Sequence, residues 1–92
     1  MKREQAELLA IQALSWMASD DEIFHGFLGA TGADASDLRE RAADPHFLGA
    51  VLDYLMQQDD WVIGFARAAN IPPQQVMEIR QSLPGGEQWH WT

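Results

Sequence analysis

The segment AELLAIQALSWMA, residues 6–18, is the most informative part of the chain about its fold. Its apolar residues recur every three or four positions and so share one helical face: Ala6, Leu9, Ala10, Ala13, Trp16 and Met17. Ile11 and Leu14 widen this face, so polar residues occupy only a narrow sector. A helix that is apolar around most of its circumference is buried on most sides. The segment therefore predicts a first helix, from about Arg3 to Ala18, at the centre of a bundle.

Helix-starting and helix-ending signals alternate along the rest of the chain. Capping residues followed by apolar stripes predict further helix starts at Ser19 (with Glu22), Asp34, Asp44-Pro45, and Asp59 or Asp60. Gly32 and Asn70 suit the left-handed conformation that ends a helix. A sixth helix follows Pro72-Pro73, and no segment has the alternation of a β-strand. We predict an all-α fold, a compact bundle of five or six short helices.

The predicted fifth and sixth helices have the spacing of a helix-turn-helix pair. The residues that carry this spacing are Ala66, Asn70, Ile71, Val76 and Ile79. A small residue lets two helices cross closely, and the aliphatic residues fill the angle between them, so the spacing predicts packing. Gln74, Gln75 and Arg80 on the sixth helix are residue types that contact base edges in DNA. A DNA-binding regulator is therefore the alternative function.

The composition is acidic, with 14 carboxylate residues against six Lys and Arg residues and a formal net charge of -8. Proteins bind nucleic acid largely through Lys and Arg on phosphates, so this balance disfavours nucleic acid as a partner. It favours a basic surface on another protein, through electrostatic steering. Residues 6–18 are interrupted by Glu7, Gln12 and Ser15, so they predict neither a signal peptide nor a membrane span. We expect a cytoplasmic protein that does not enter membranes.

The sequence contains no pattern that predicts catalysis or a cofactor. There is no cysteine, and none of the three histidines has a second histidine three to five positions away, as helical zinc sites usually do. The pairs Asp20-Asp21 and Asp59-Asp60 are adjacent in sequence, and adjacent side chains on a helix do not face each other. We therefore expect no enzymatic activity, no cofactor and no metal.

The last ten residues, LPGGEQWHWT, place two tryptophans after a helix-stopping Pro-Gly-Gly. Burying each large aromatic side chain is worth roughly 2–3 kcal/mol, which could offset the cost of ordering such a tail. We predict one helical domain over residues 1–86 and an aromatic tail over residues 87–92 that docks on its own domain or on a partner. The candidate protein-binding residues are Trp89, His90 and Trp91. A homo-oligomer that exchanges the tail, and a small-molecule carrier with a cavity under Trp16 and Trp61, stay open as alternatives.

Several short motifs resemble an uncharacterised family of short bacterial helical proteins, known only as a domain of unknown function. They are Phe27-Leu28-Gly29 with Thr31-Gly32, Asp37-Leu38-Arg39, Asp44-Pro45 with Phe47-Leu48, Val51-Leu52-Asp53, Phe65 with Pro72-Pro73, and Leu83-Pro84-Gly85-Gly86 with His90-Trp91-Thr92. The resemblance implies an all-helical fold and no assigned catalytic residue. The apolar ending on a polar, negatively charged body predicts a small non-enzymatic cytoplasmic domain that binds another protein, as an adaptor or regulator, through the tail and the acidic face.

Overall fold

A computed structural model describes residues 1–85, which form six α-helices and one 3₁₀ turn. The helices are α1 (Arg3–Ala18), α2 (Asp21–Thr31), α3 (Leu38–Arg41, which follows the 3₁₀ turn Ala35–Asp37), α4 (Pro45–Leu55), α5 (Asp59–Ala69) and α6 (Gln75–Gln81). No strand occurs in residues 1–85, so the predicted all-α fold is confirmed. None of these helices is long and apolar enough to cross a lipid bilayer.

Helix α1 lies at the centre of the bundle and packs against α2, α4, α5 and α6. Its residues Ala6, Ala10 and Ala13 are fully buried. Small side chains at these positions let neighbouring helices approach closely, because nothing projects beyond the β-carbon. The Trp16 ring covers Gly64 of α5, where a β-carbon would come within 2.7 Å of the ring. The central position predicted for the first helix is therefore confirmed.

Two predicted helix caps were wrong, and in both cases the backbone conformation decided the outcome. Ser19 has helical backbone angles and ends α1, and its hydroxyl donates to the Trp16 carbonyl at 2.6 Å. The N-cap of α2 is Asp20, whose extended backbone lets its carboxylate accept the amides of Glu22 and Ile23.

At the start of α5 the extended N-cap is Gln58, with no side-chain capping bond. Asp59 and Asp60, predicted as caps, lie inside the first helical turn. There their charges offset the positive end of the helix dipole instead of capping a backbone amide.

The remaining caps and stops agree with the sequence. Asp34 and Asp44 each accept a backbone amide as N-caps. Gly32 and Asn70 have φ angles of 72° and 59°, in the left-handed region. At Asn70 the amide of Ile71 donates to the Ala66 carbonyl at 2.9 Å, which forms a Schellman motif and turns the chain from α5 toward α6. These two helices pack against each other, as the helix-turn-helix spacing predicted.

Candidate functional site

An open depression lies where the end of α4, the start of α5 and the start of α6 meet. We call it the α5–α6 groove, and its volume is about 210 Å³. The lining residues come from three segments that are separate in sequence: Met56, Asp59, Val62, Pro73, Gln74, Val76 and Met77.

The groove is shaped by the way these three segments end and begin. Met56 is the C-cap of α4, and its amide donates to the Leu52 carbonyl at 2.9 Å. Before α6, the carbonyls of Pro72 and Pro73 accept the amides of Gln75 and Val76 at 3.0 and 3.1 Å. Proline fixes its own φ near the helical value, so this tight turn is favoured before α6 begins. The groove therefore has backbone walls held by hydrogen bonds.

Most side chains in the groove are apolar, and their exposure differs. Val76 is buried, Met56 and Val62 are half-buried, and Met77 is 55% exposed. Methionine side chains are flexible and polarizable, so they adapt to partner groups of different shape. The groove thus offers an apolar contact with one buried wall and two adaptable methionines.

Asp59 is the one charged residue that lines the groove. Within residues 1–85 the ion pairs join Arg3 to Glu7, His46 to Asp44 and Arg80 to Asp53. The Asp59 carboxylate takes part in none of these pairs. It is exposed at the first position of α5, where it can meet a group from outside the domain.

A second feature, the Arg80 network, consists of Asp53, Arg80 and the Pro84 carbonyl. The guanidinium donates from Nε and Nη2 to the two Asp53 oxygens at 2.6 and 3.3 Å, and from Nη1 to the Pro84 carbonyl at 3.1 Å. A β-carbon at Gly49 would lie 3.2 Å from both Arg80 Nη1 and the Pro84 oxygen, so glycine makes room for the network. The network fixes the position of Pro84 and Gly85 beside α4.

The three residues predicted to contact DNA fall into different surroundings. Gln74 is exposed and lines the α5–α6 groove, and Gln75 is half-buried. The Arg80 side chain is only 17% exposed and is held by the network described above. To read a guanine, Arg80 would have to break a bidentate ion pair within the domain.

The predicted protein-binding residues Trp89, His90 and Trp91 lie outside residues 1–85. The other two histidines, His25 and His46, are exposed. Within residues 1–85 no three His, Asp or Glu side chains come together in a way that could hold a metal ion.

The tryptophans suggested above as the roof of a carrier cavity pack directly against neighbouring rings. Trp16 meets Phe65 edge-on, with 6.5 Å between ring centroids, and Trp61 stacks on Tyr54 at 5.2 Å. The open volume of the α5–α6 groove lies elsewhere and has no tryptophan among its lining residues.

Sequence reasoning missed the groove. Met56 follows the buried Leu55 at the end of α4, and Met77 follows the buried Val76 on α6, so each lies beside the buried face of its helix. An apolar residue off the buried face is the sequence signal that could have drawn attention to the groove. The meeting of Met56 and Met77 depends on how α4 and α6 are placed, which no local pattern encodes.

Comparison with known proteins gives one result. Residues 3–86 match the family model described as "Protein of unknown function (DUF3572)". No curated protein and no solved structure matches the chain. The match confirms the resemblance drawn from the short motifs as far as Gly86, whereas the His90-Trp91-Thr92 ending lies beyond the matched residues.

Proposed function

The chain belongs to the DUF3572 family of proteins of unknown function, and we propose that it is a non-enzymatic, cytoplasmic protein-binding domain, an adaptor or regulator. The α5–α6 groove receives an apolar side chain from a segment of another protein. The observation that carries this proposal is an open apolar groove with Met77 55% exposed at its edge.

The size of the groove favours a side chain over a whole small molecule. Pockets for drug-sized ligands span roughly 300–1,000 Å³ and enclose most of the ligand. The groove measures about 210 Å³ and is open to solvent, which suits one large side chain. Full burial of a Leu, Met or Phe side chain is worth about 1.5–3 kcal/mol.

Such an anchor supplies only part of the affinity of a useful complex. A dissociation constant of 1 μM corresponds to about 8.2 kcal/mol, so flanking contacts must contribute the larger share. In protein interfaces a few buried anchors dominate, and the surrounding contacts exclude water from them. We therefore expect short partner segments to bind with dissociation constants of about 1 μM to 1 mM.

The DNA-binding alternative has less support from charge and contacts. The net charge of -8 repels phosphate, and the Arg80 guanidinium is engaged by Asp53 and the Pro84 carbonyl. An electrophoretic shift assay with mixed genomic DNA at low salt tests this alternative directly. A shifted band at micromolar protein would favour DNA binding over protein binding.

Selection of short random peptides displayed against the full-length chain tests the proposed groove. The critical variant is Met77→Glu, which puts a charge in the groove at a position exposed enough to leave the fold intact. Leu8→Glu and Ile63→Glu are matched controls, because these residues are 64% and 46% exposed on α1 and α5. We expect selected peptides to bind the wild type and both controls but not Met77→Glu.

Two outcomes would refute the proposal. One is the absence of any enriched peptide. The other is equal binding of the enriched peptides to the wild type and to Met77→Glu, which would place their contact on another surface.

The tail residues Trp89, His90 and Trp91 keep their predicted role as additional protein-binding residues. The tail follows Pro84 and Gly85, and the Pro84 carbonyl accepts a hydrogen bond from Arg80. Replacing both tryptophans by alanine in the full chain tests their part. We expect weaker binding of the selected peptides, and unchanged affinity would remove the tail from the proposed interface.

A further inference from the structure

We propose that the partner segment carries a lysine or arginine next to its apolar anchor, and that Asp59 binds this basic residue at the edge of the α5–α6 groove. The inference rests on the proposed function and specifies the chemistry of the partner. It combines the apolar lining with the charges that surround it.

The carboxylates of the domain divide into those that hold a hydrogen bond or an ion pair within residues 1–85 and those that do not. Asp20, Asp34 and Asp44 each accept a backbone amide at a helix start, and Asp53 pairs with Arg80. The Asp59 side chain accepts no hydrogen bond from any group in residues 1–85, although it lines the groove. A carboxylate next to an apolar contact therefore stays available for an external cation.

The charged residues that line the groove, or that follow a lining residue directly in sequence, are acidic. Asp60 follows Asp59 in the first turn of α5, and Glu78 follows Met77 on α6; both are exposed. Together, Asp59 and Asp60 outweigh the positive end of α5, which is equivalent to about half a unit charge.

No Lys or Arg of residues 1–85 lines the groove. Arg67 lies about two turns beyond Asp60 along α5, and Arg80 is held by Asp53. The remaining bases lie in the N-terminal residues and on α3, which contribute no lining residue. An approaching basic segment therefore meets an attractive field, whereas an acidic one is repelled.

The lining predicts different tolerance at the two contact positions of the partner. Met56 and Met77 adapt to several side-chain shapes, so the anchor position accepts Leu, Met, Phe or Trp. The charged position accepts only Lys or Arg. Selected peptides should thus show a degenerate apolar position beside a conserved basic one.

Asp59→Asn in the full-length chain tests the inference, with Asp21→Asn as its matched control. Asp21 is the first residue of α2, as Asp59 is of α5, so both variants lose one charge at the same position of a helix start. We expect Asp59→Asn to weaken the binding of a selected Lys-containing peptide about two- to fivefold, the range expected for an exposed ion pair. Asp21→Asn should leave the affinity for this peptide nearly unchanged.

Two further measurements complete the test. Replacing the peptide lysine by norleucine should remove the difference between wild type and Asp59→Asn, as a double-mutant cycle requires. Raising the salt from 0.1 to 1 M shortens the screening length from about 10 to 3 Å and should reduce the Asp59-dependent part of the affinity.

Peptides without a basic preference, or equal effects of Asp59→Asn and Asp21→Asn, overturn the inference. If such peptides still fail to bind Met77→Glu, the proposed function stands and only the partner chemistry is wrong. If no peptide depends on Met77, the groove itself is not the binding site.

Discussion

The contact between Trp16 and Gly64 gives the sharpest test of the packing between α1 and α5. An alanine at position 64 would place its β-carbon 2.7 Å from one carbon of the Trp16 ring and 3.3 Å from another. The ring also packs edge-on against Phe65, so it cannot turn away without losing that contact. Gly29 in α2 is the matched control, because a β-carbon there meets nothing within 4 Å.

The expected magnitudes follow from two opposing effects. Replacing a helical glycine by alanine stabilises by about 0.5–1 kcal/mol, because alanine loses less backbone entropy on folding. Overpacking a filled site costs about 1–3 kcal/mol. Gly29→Ala should therefore raise the free energy of unfolding by up to about 1 kcal/mol. The free energy of unfolding of Gly64→Ala should be about 1–3 kcal/mol lower than that of Gly29→Ala.

Urea unfolding of both variants, followed by circular dichroism, measures the difference. For a domain of this size 1 kcal/mol corresponds to about 4–8 °C in Tm, so thermal unfolding gives an independent value. Adding Trp16→Phe should relieve most of the Gly64→Ala penalty, because the smaller ring leaves room for the methyl group. Equal stabilisation by Gly29→Ala and Gly64→Ala would show that Trp16 does not pack on α5 as described.

Three further substitutions test the caps and the Arg80 network by the same unfolding measurement. Asp20→Ala should lower the free energy of unfolding by about 0.5–2 kcal/mol, because the N-cap carboxylate accepts two backbone amides. A larger loss from Ser19→Ala would show that Ser19 is the cap of α2, as predicted from the sequence. Arg80→Ala should lower the free energy of unfolding by about 1–3 kcal/mol, since it leaves the Pro84 carbonyl without its donor. Arg67 is exposed, so Arg67→Ala should stay within about 0.5 kcal/mol of the wild type. Similar losses from both variants would argue against the Arg80 network. Asn70→Ala should lower the free energy of unfolding by about 1 kcal/mol, because alanine tolerates a φ of 59° less well than asparagine does. An unchanged free energy of unfolding would mean that the end of α5 does not depend on this residue.

Local patterns predicted the helices well because each carries its own signals. The apolar face of residues 6–18, the Asp44-Pro45 start and the Asn70 stop all act within a few residues of chain. The family match over residues 3–86 agrees with the motifs that pointed to it.

The errors arose where neighbouring residues compete for the same local role. Ser19 and Asp20 can both cap α2, and a shift of one residue decides which backbone is extended and which is helical. At α5, Gln58 takes the extended conformation although Asp59 and Asp60 are better capping residues. Sequence spacing alone does not resolve a difference of one position.

The all-helical fold around the first helix can be predicted from the residues alone, because apolar periodicity and capping are short-range properties. Helix packing brings Met56 and Met77 into one groove, leaves the lining residue Asp59 without an ion pair among residues 1–85, and pairs Asp53 with Arg80. Met77 lies 21 positions from Met56 and 18 from Asp59, and Arg80 lies 27 positions from Asp53, so these contacts depend on how whole helices are placed. That placement comes from the packing of many side chains at once, so no local stretch of sequence specifies it.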